Sequence, residues 1–239
     1  MPVDRLTVAA LVPVWNGAAF LAEALESILA QEPAVDEVLV IDDGSTDDSA
    51  AIAERLAPRV HCARLPHRGL AATRNAAVRL SRSELVAFLD SDDLWPRERL
   101  SRLVRALEEN PDCGIAQGRL QRMVPSAGTS RWELVDESWR APNLGTALIR
   151  RSAFATVGLF DESVSGGDDV DWLLRARELG VRESRVDSIT LHYRRQDANM
   201  TNDAATDRSR LMRVLGKAVA RRRTTAVERP PSGSDTGRS

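Results

Sequence analysis

Carboxylate and amide side chains follow three apolar runs of the chain, each run having the length of a β-strand. The first run leads into Pro-Val-Trp-Asn-Gly (13–17), the second into Asp-Asp-Gly-Ser (42–45) and the third into Asp-Ser-Asp-Asp (90–93). Mg²⁺ and Mn²⁺ prefer oxygen ligands, commonly one or two carboxylates together with phosphate oxygens of a substrate. An aromatic ring beside them can stack on a planar base. The three segments together predict a site for a nucleotide whose phosphates are bridged by a divalent cation.

Each of these segments, taken alone, also has a purely structural interpretation. Asp, Ser and Gly after a strand are common in turns and at helix starts, where they satisfy backbone groups. Trp15 alone is compatible with a core or rim position. The functional hypothesis therefore depends on three such segments recurring at consistent positions, which helix capping alone does not explain.

The apolar runs and the stretches between them define the elements that must position these groups. The predicted strands are 7–12, 38–41, 60–65 and 85–89, and the predicted helices are 19–29, 45–56, 69–80 and 100–107. Ser45 with Asp48 three residues later resembles a capping box, which would begin the second helix at Ser45. Fully apolar strands alternating with helices are typical of parallel βαβ units. We expect an α/β fold with a mostly parallel central sheet, helices on both faces, and ligands at the carboxyl ends of the strands.

The second half of the chain is less regular. Short strand-like pieces are expected between 114 and 139, and a helix over 169–179. Residues 207–223 place apolar side chains among arginines, which predicts a basic amphipathic helix that either packs on its own domain or lies on an anionic membrane surface. Residues 1–206 are then one domain, and residues 224–239, rich in Pro, Gly and Ser near their end, are expected to be a disordered tail.

Composition limits the classes of function. The formal net charge of -2 gives no reason to expect nucleic acid as a partner. No apolar run approaches the ~20 residues that span a bilayer, and the N-terminus lacks the features of a signal peptide, so a cytoplasmic location is expected. Cys62 and Cys113 lack the spacing of a metal or redox site and are expected to be reduced thiols. Lys217 is the only lysine, which argues against a P-loop, a Schiff-base enzyme and a receiver domain.

Six short motifs in a fixed order resemble those of the family 2 glycosyltransferases of GT-A fold. They are Pro-Val-Trp-Asn-Gly (13–17), Val-Ile-Asp-Asp-Gly-Ser-Thr-Asp (40–47), Gly-Leu-Ala-Ala-Thr-Arg-Asn (69–75), Phe-Leu-Asp-Ser-Asp-Asp (88–93), Val-Gly-Leu-Phe-Asp-Glu (157–162) and Gly-Gly-Asp-Asp-Val-Asp-Trp-Leu-Leu-Arg (166–175). The match covers roughly residues 5–201. Each motif alone is weak, but their order along the chain is specific. The resemblance implies a transferase that uses a nucleotide-diphosphate sugar.

For the donor nucleotide, the resemblance implies contacts from three of these motifs. Pro13, Trp15 and Asn16 belong to the first motif, and Trp15 takes the place of the aromatic residue that stacks on the base. Asp43 matches the residue that accepts the ring N–H of the base, which favours a UDP- or dTDP-sugar. Arg74 falls in the segment that lies near the diphosphate.

For the metal and the reaction, the resemblance implies roles for three aspartates. Asp90 and Asp92 form the DxD motif, with Asp92 binding Mn²⁺ or Mg²⁺ and Asp90 lying nearer the ribose and the metal. Asp169 aligns with the general base. The family usually has Glu before that aspartate, whereas this chain has Asp168, whose shorter side chain reaches less far toward an acceptor.

A second departure from the family pattern lies near the end of the match. Many relatives carry a histidine where Gln196 stands, at a position that can approach the metal or the diphosphate. His192 is one substitute, and the arginines at 194 and 195 are another, since they can neutralise the leaving diphosphate. No third protein ligand of the metal is assigned.

The implied reaction is a single displacement with inversion, in which a base removes the acceptor's proton while the cation offsets charge on the departing nucleoside diphosphate. The pKa of Asp169 is open at this point, because a helix N-terminus lowers it while Asp168 and Asp171 raise it. Two alternatives remain, a sugar nucleotidyltransferase, which usually has a Gly-rich basic loop after its first strand, and a nucleotide-sugar-binding pseudoenzyme. The acceptor, whether saccharide, lipid-linked, peptide or small molecule, is not identified.

Overall fold

The computed structural model describes residues 5–129, 131–164, 166–195 and 212–221. The strands are β1 (Val8–Val14), β2 (Glu37–Asp42), β3 (His61–Arg64), β4 (Leu85–Phe88), β5 (Cys113–Pro125), β6 (Trp132–Trp139), β7 (Ala147–Arg150) and β8 (Arg182–Arg194). The helices are α1 (Ala18–Leu29), α2 (Ser49–Glu54), α3 (Leu70–Leu80), α4 (Arg99–Glu109), α5 (Arg151–Val157), α6 (Asp168–Glu178) and α7 (212–221), with a 3₁₀ turn at Leu144–Thr146. Every strand and helix predicted before residue 110 is present, with ends shifted by a few residues.

The first four strands form the regular half of the sheet. β2 pairs with β1 and β3, and β1 pairs with β4, all in parallel. β1 and β4 are buried along their whole length, and their residues are apolar because helices cover a parallel sheet on both faces. The carboxyl ends of these strands therefore meet at one edge of the sheet, as the sequence predicts.

The second half of the sheet is mixed, and parallel pairings outnumber antiparallel ones among the described strands as a whole. β7 runs antiparallel to β4 and β5, β6 runs antiparallel to β5, and β8 runs parallel to β5. A short connection joins β5 to β6, and such a connection requires antiparallel pairing. β5 also has register shifts against β6 and β8, which interrupt the alternation typical of a long strand. For this reason the sequence predicts only short pieces where β5 spans 13 residues.

Two apolar cores lie on the two faces of the sheet. Val8, Ala10 and Val12 of β1 pack in the first core with residues of α1, α2 and α4. Ala9 and Leu11 pack in the second core with residues of α3, α5 and α6. The alternation follows from the two-residue period of a strand. Helices on both faces confirm the predicted α/β class.

The second helix begins later than the capping-box pattern predicts. α2 starts at Ser49, and the preceding Asp48 makes no side-chain hydrogen bond to the helix. Ser45 instead contacts the loop that follows β1, because its Oγ accepts from the Asn16 N–H at 2.9 Å. Its own N–H donates to Asp42 Oδ1 at 3.0 Å. The predicted cap is wrong because the Ser45 hydroxyl is engaged between two loops.

α7 packs against its own domain, which is one of the two interpretations of residues 207–223. Val214 is 1% exposed, and both Lys217 and Arg221 form ion pairs with the domain. The predicted disordered tail, 224–239, lies outside the described residues. No helix in the part of the chain that the structure describes has the length and hydropathy needed to cross a membrane.

Candidate active site

The side chain of Asn16 joins the loops that follow β1 and β2. The side-chain Oδ1 of Asn16 accepts from the Thr46 N–H at 2.8 Å. The backbone N–H of Asn16 donates to Ser45 Oγ at 2.9 Å. Asn16 has a φ of 50°, a left-handed conformation that Asn adopts more readily than most residues. Pro13, which is also predicted to contact the nucleotide, is buried within β1. The nucleotide contacts of Pro13 and Asn16 stay predictions.

Gly17 brings the first loop against the acidic loop that follows β4. A Cβ atom built at Gly17 would lie 2.7 Å from Ser91 Oγ and 2.8 Å from Val14 Cγ2. A side chain at this position would therefore push the two loops apart. Ser91 stands between Asp90 and Asp92. The close approach of Gly17 to Ser91 therefore sets the distance between the predicted nucleobase-binding segment and the predicted metal-binding segment.

Trp15 and Asp43, the two predicted base contacts, lie in one cluster with His67. Trp15 is 56% exposed, and its ring stacks on His67 with the ring centroids 4.6 Å apart. The buried Asp43 carboxylate accepts hydrogen bonds from the N–H groups of Arg68 and Gly69, each at 2.8 Å, and His67 Nδ1 lies 2.9 Å from its Oδ2. His67 was missed in the sequence, although a histidine two residues before Gly69 in the same loop was the available signal.

Asp90 and Asp92 present two carboxylates at the carboxyl end of β4. Asp90 Oδ1 accepts from Arg74 Nη2 at 2.9 Å. Burial and the neighbouring charge of Asp90 raise the pKa of Asp92 to about 6. Asp93 has a different environment, because it is buried and its Oδ1 accepts from the Arg194 N–H at 2.9 Å. Asp93 thereby ties the acidic loop to the end of β8.

Two carboxylates are a donor set that suits a divalent cation if the remaining ligands come from a substrate and water. Among the described residues, no group of three or more Asp, Glu, His or Cys side chains is arranged to hold a metal ion. Mg²⁺ and Mn²⁺ are commonly held by one or two carboxylates, with phosphate oxygens and water completing the shell. The raised pKa of Asp92 means that its ionised form is disfavoured by burial and by Asp90, and a cation beside both carboxylates would relieve this cost.

Arg74 connects the acidic loop after β4 to the start of α6. Its side chain is 4% exposed, and its Nη1 donates to Asp168 Oδ2 at 2.8 Å while its Nη2 donates to Asp90. Asp168 is itself 1% exposed. The carboxylate at 168 is therefore engaged by Arg74 inside the protein. The family resemblance predicts that Arg74 lies near the diphosphate. It does not predict the ion pair of Arg74 with Asp168, which lies 94 residues further along the chain.

Asp169 stands in the first turn of α6, beside the pair formed by Arg74 and Asp168. Gly166 and Gly167 precede the helix with φ values of 73° and 81°, which favour glycine. Burial raises the pKa of Asp169 to about 6, the positive charge of Arg74 opposes this rise and the charge of Asp168 adds to it. Burial thus decides the balance that the sequence left open. A carboxylate with this pKa is a better proton acceptor than an ordinary aspartate and is still ionised at neutral pH.

His192 pairs with the acidic loop through its backbone. The Leu94 N–H donates to His192 O at 3.0 Å, and the His192 N–H donates to Leu94 O at 2.9 Å. Burial lowers the pKa of the imidazole, which favours its neutral form. Gln196, where the family pattern departs, lies outside the described residues. A ligand role for His192 stays a prediction.

Arg194 supports the acidic loop from the end of β8. Its side chain is 1% exposed and forms an ion pair with Glu23, and its Nη1 donates to the backbone oxygen of Asp92 at 3.3 Å. The guanidinium is thus engaged by the protein, and neutralisation of a diphosphate by Arg194 stays a prediction. Arg195, the other arginine weighed for that role, is exposed.

Comparison with known proteins identifies a family whose sequence model matches this chain. The model of glycosyl transferase family 2 matches residues 9–159. The succinoglycan biosynthesis protein ExoU of Rhizobium meliloti (strain 1021) is 32% identical over 202 residues, which cover 74% of this chain and 59% of that protein. The chain thus spans less than two thirds of the length of this relative.

Solved structures share the fold. S. aureus TarS 1-349, in complex with UDP-GlcNAc, superposes with a TM-score of 0.67 at 20% identity, over 83% of this chain and 61% of that one. The mannosyltransferase PcManGT from Pyrobaculum calidifontis, in complex with GDP-Man and Mn2+, gives a TM-score of 0.73 at 22% identity, over 92% and 66%. At these identities the likeness shows the fold, which is the GT-A fold.

Proposed function

The chain belongs to glycosyl transferase family 2, and we propose that it transfers a sugar from a nucleotide-diphosphate donor to an acceptor by a single displacement with inversion. The observation that carries this proposal is the contact network around Arg74. Arg74 binds Asp90 on one side and Asp168, the neighbour of Asp169, on the other. A pair of carboxylates suited to a cation and a carboxylate suited to a base are thereby held next to one another.

Each group then has a separate task in the reaction. Asp169 takes the proton from the acceptor group as that group attacks the anomeric carbon. Asp92 and Asp90 would hold Mn²⁺ or Mg²⁺, and the bound cation would offset negative charge on the departing nucleoside diphosphate. Arg74 binds Asp90 and Asp168, and its positive charge offsets the negative charges around Asp169.

The proposal is tested by incubating the protein with a panel of nucleotide-diphosphate sugars and divalent cations, with and without candidate acceptors. We expect release of nucleoside diphosphate and a gain of one sugar by an acceptor, for which saccharides, lipid-linked saccharides, peptides and small molecules are the classes to screen. Binding of the donor without any release favours the pseudoenzyme alternative. Release of pyrophosphate from a nucleoside triphosphate and a sugar phosphate favours a nucleotidyltransferase.

The donor base is expected to be uracil or thymine. The Asp43 carboxylate offers about four lone-pair positions, of which three face Arg68, Gly69 and His67. The remaining position can accept the ring N3–H of uracil or thymine while Trp15 stacks on the ring. UDP and dTDP should therefore raise the melting temperature more than CDP, whose N3 has no proton. Equal stabilisation by CDP and UDP contradicts the role of Asp43, and GDP, which has a ring N–H, is excluded less strongly.

We also propose that residues 207–223 contact a membrane surface, in addition to the packing of α7 on its own domain. Met212, Leu215 and Val219 form an outward stripe and are 64%, 42% and 50% exposed. The segment carries seven Arg or Lys residues and one Asp, which suits an anionic lipid surface. The protein should float with anionic vesicles and not with neutral ones, and Leu215→Asp should weaken flotation without lowering the melting temperature. A wild-type protein that stays unbound on both kinds of vesicle removes this proposal.

A further inference from the structure

We propose that α7 positions Asp169, the predicted general base. Lys217 and Arg221 of α7 hold the two ends of the segment that carries Asp169. This inference rests on the function proposed above. The family model ends at residue 159, so α7 and the contacts that it makes lie outside the matched region.

The first contact lies ahead of the glycine pair. Lys217 Nζ lies 2.6 Å from Asp161 Oδ2 and 2.6 Å from Ser163 Oγ. The hydrogen bond from Lys217, together with that from Ser163, lowers the pKa of Asp161 to about 2, so this carboxylate is ionised and paired. The single lysine of the chain therefore anchors the loop that leads into α6.

The second contact lies within α6. Arg221 Nη1 donates to Asp171 Oδ1 at 2.8 Å, and Arg221 Nε donates to Glu178 Oε2 at 3.2 Å. Asp171 is fully buried and also accepts from Arg175 at 2.9 Å. Because Asp171 follows Asp169 by two positions, Arg221 holds α6 at a point that comes after Asp169 in the chain.

Between these two contacts in sequence, α7 also approaches Gly167. A Cβ atom built at Gly167 would lie 3.3 Å from Val214 Cγ2, which shows how closely α7 approaches this loop. Glycine has the largest conformational freedom in a chain, so Gly166 and Gly167 do not fix the position of Asp169 by themselves. Contacts on both sides of the pair, made by one helix, supply the missing restraint.

The expected consequence is a loss of catalytic rate without a loss of donor binding. A reacting group displaced by about 1 Å can lower the rate about 100-fold. The contacts of α7 described above fall on residues 161–178. The predicted nucleotide cluster, by contrast, is formed by Trp15, Asp43 and His67. Loosening α7 should therefore move Asp169 and leave the nucleotide cluster intact.

The test compares Lys217→Met and Arg221→Met, singly and together, with Arg213→Met as the matched control. Arg213 is an exposed residue of the same helix, so the control also removes one positive charge. We expect kcat to fall roughly 10-fold in each single variant and about 100-fold in the double variant. The melting shift with UDP and the KM for the donor should stay at wild-type values, and Lys217→Arg should restore kcat.

Hydrogen exchange supplies a readout that does not depend on activity. Amides of residues 158–171 should exchange faster in Lys217→Met and Arg221→Met than in wild type, while those of α3 should not change. Unchanged exchange in this segment, or a fall in UDP binding as large as the fall in kcat, overturns the positioning role. If wild-type protein transfers no sugar, the proposed function fails, and the exchange measurement alone decides whether α7 restrains the loop.

Discussion

Asp169→Asn should leave the fold and nucleotide binding intact and nearly abolish sugar transfer. The amide has almost the shape of the carboxylate, yet it cannot take the acceptor's proton at neutral pH. A positioned general base contributes roughly 10²–10⁴-fold to the rate, and kcat should fall within that range. Transfer to a competent acceptor measures the loss, and the melting shift with UDP checks that the nucleotide still binds.

Asp168→Asn is the matched control, because it removes the neighbouring carboxylate while Asp169 remains. Asp168 is buried and pairs with Arg74, so this variant should lose stability. We expect a lower melting temperature and, well below it, transfer far above that of Asp169→Asn. An inactive Asp168→Asn beside an active Asp169→Asn would place the base at position 168. Full transfer by both variants would leave the inverting mechanism without its base.

The same assignment predicts a fall in rate as the pH drops through about 6. Burial raises the pKa of Asp169 to about 6, Arg74 opposes the rise, and Asp168 and Asp90 add to it. A base acts in its ionised form, so transfer is fully present above this pH and is lost below it. The profile should be recorded at saturating Mn²⁺, because the pKa of Asp92 is also raised to about 6. A level rate from one unit below to one unit above this value contradicts the assignment.

Asp92→Ala should lose most of the turnover and the dependence on Mn²⁺ or Mg²⁺. Stabilisation of a leaving group by a metal ion is worth several kcal/mol, so kcat should fall about 100-fold or more. Excess chelator should lower the wild-type rate to a similar level. Binding of Mn²⁺ in the presence of UDP, measured by calorimetry, should weaken in parallel.

Asp48→Ala is the control for this experiment, because Asp48 is an exposed carboxylate in the loop between β2 and α2. It should keep the rate and the Mn²⁺ affinity of the wild type. Full activity of the wild type in excess chelator, or unchanged Mn²⁺ binding in Asp92→Ala, overturns the metal assignment.

The sequence by itself determined the elements in which local pattern and burial agree. β1, β2 and β4 are apolar on both faces, and α1 and α4 repeat apolar residues at helical spacing, so their positions could be predicted. The order of the acidic loops then places Trp15, Asp43 and the DxD aspartates at one edge of the sheet. The family followed from the same motifs, and the family model confirms it. Their roles as site residues stay predictions.

Only the tertiary structure decided which charges pair and which are buried. Asp168, one of the two partners of Arg74, lies 94 residues further along the chain, and the contacts of Lys217 and Arg221 depend on where α7 packs. The pKa of Asp169 depends on the number of protein atoms around it, which a helix position does not reveal. The physical reason is that periodicity records the side of an element that faces the core, whereas ion pairing and desolvation depend on distances between elements remote in sequence.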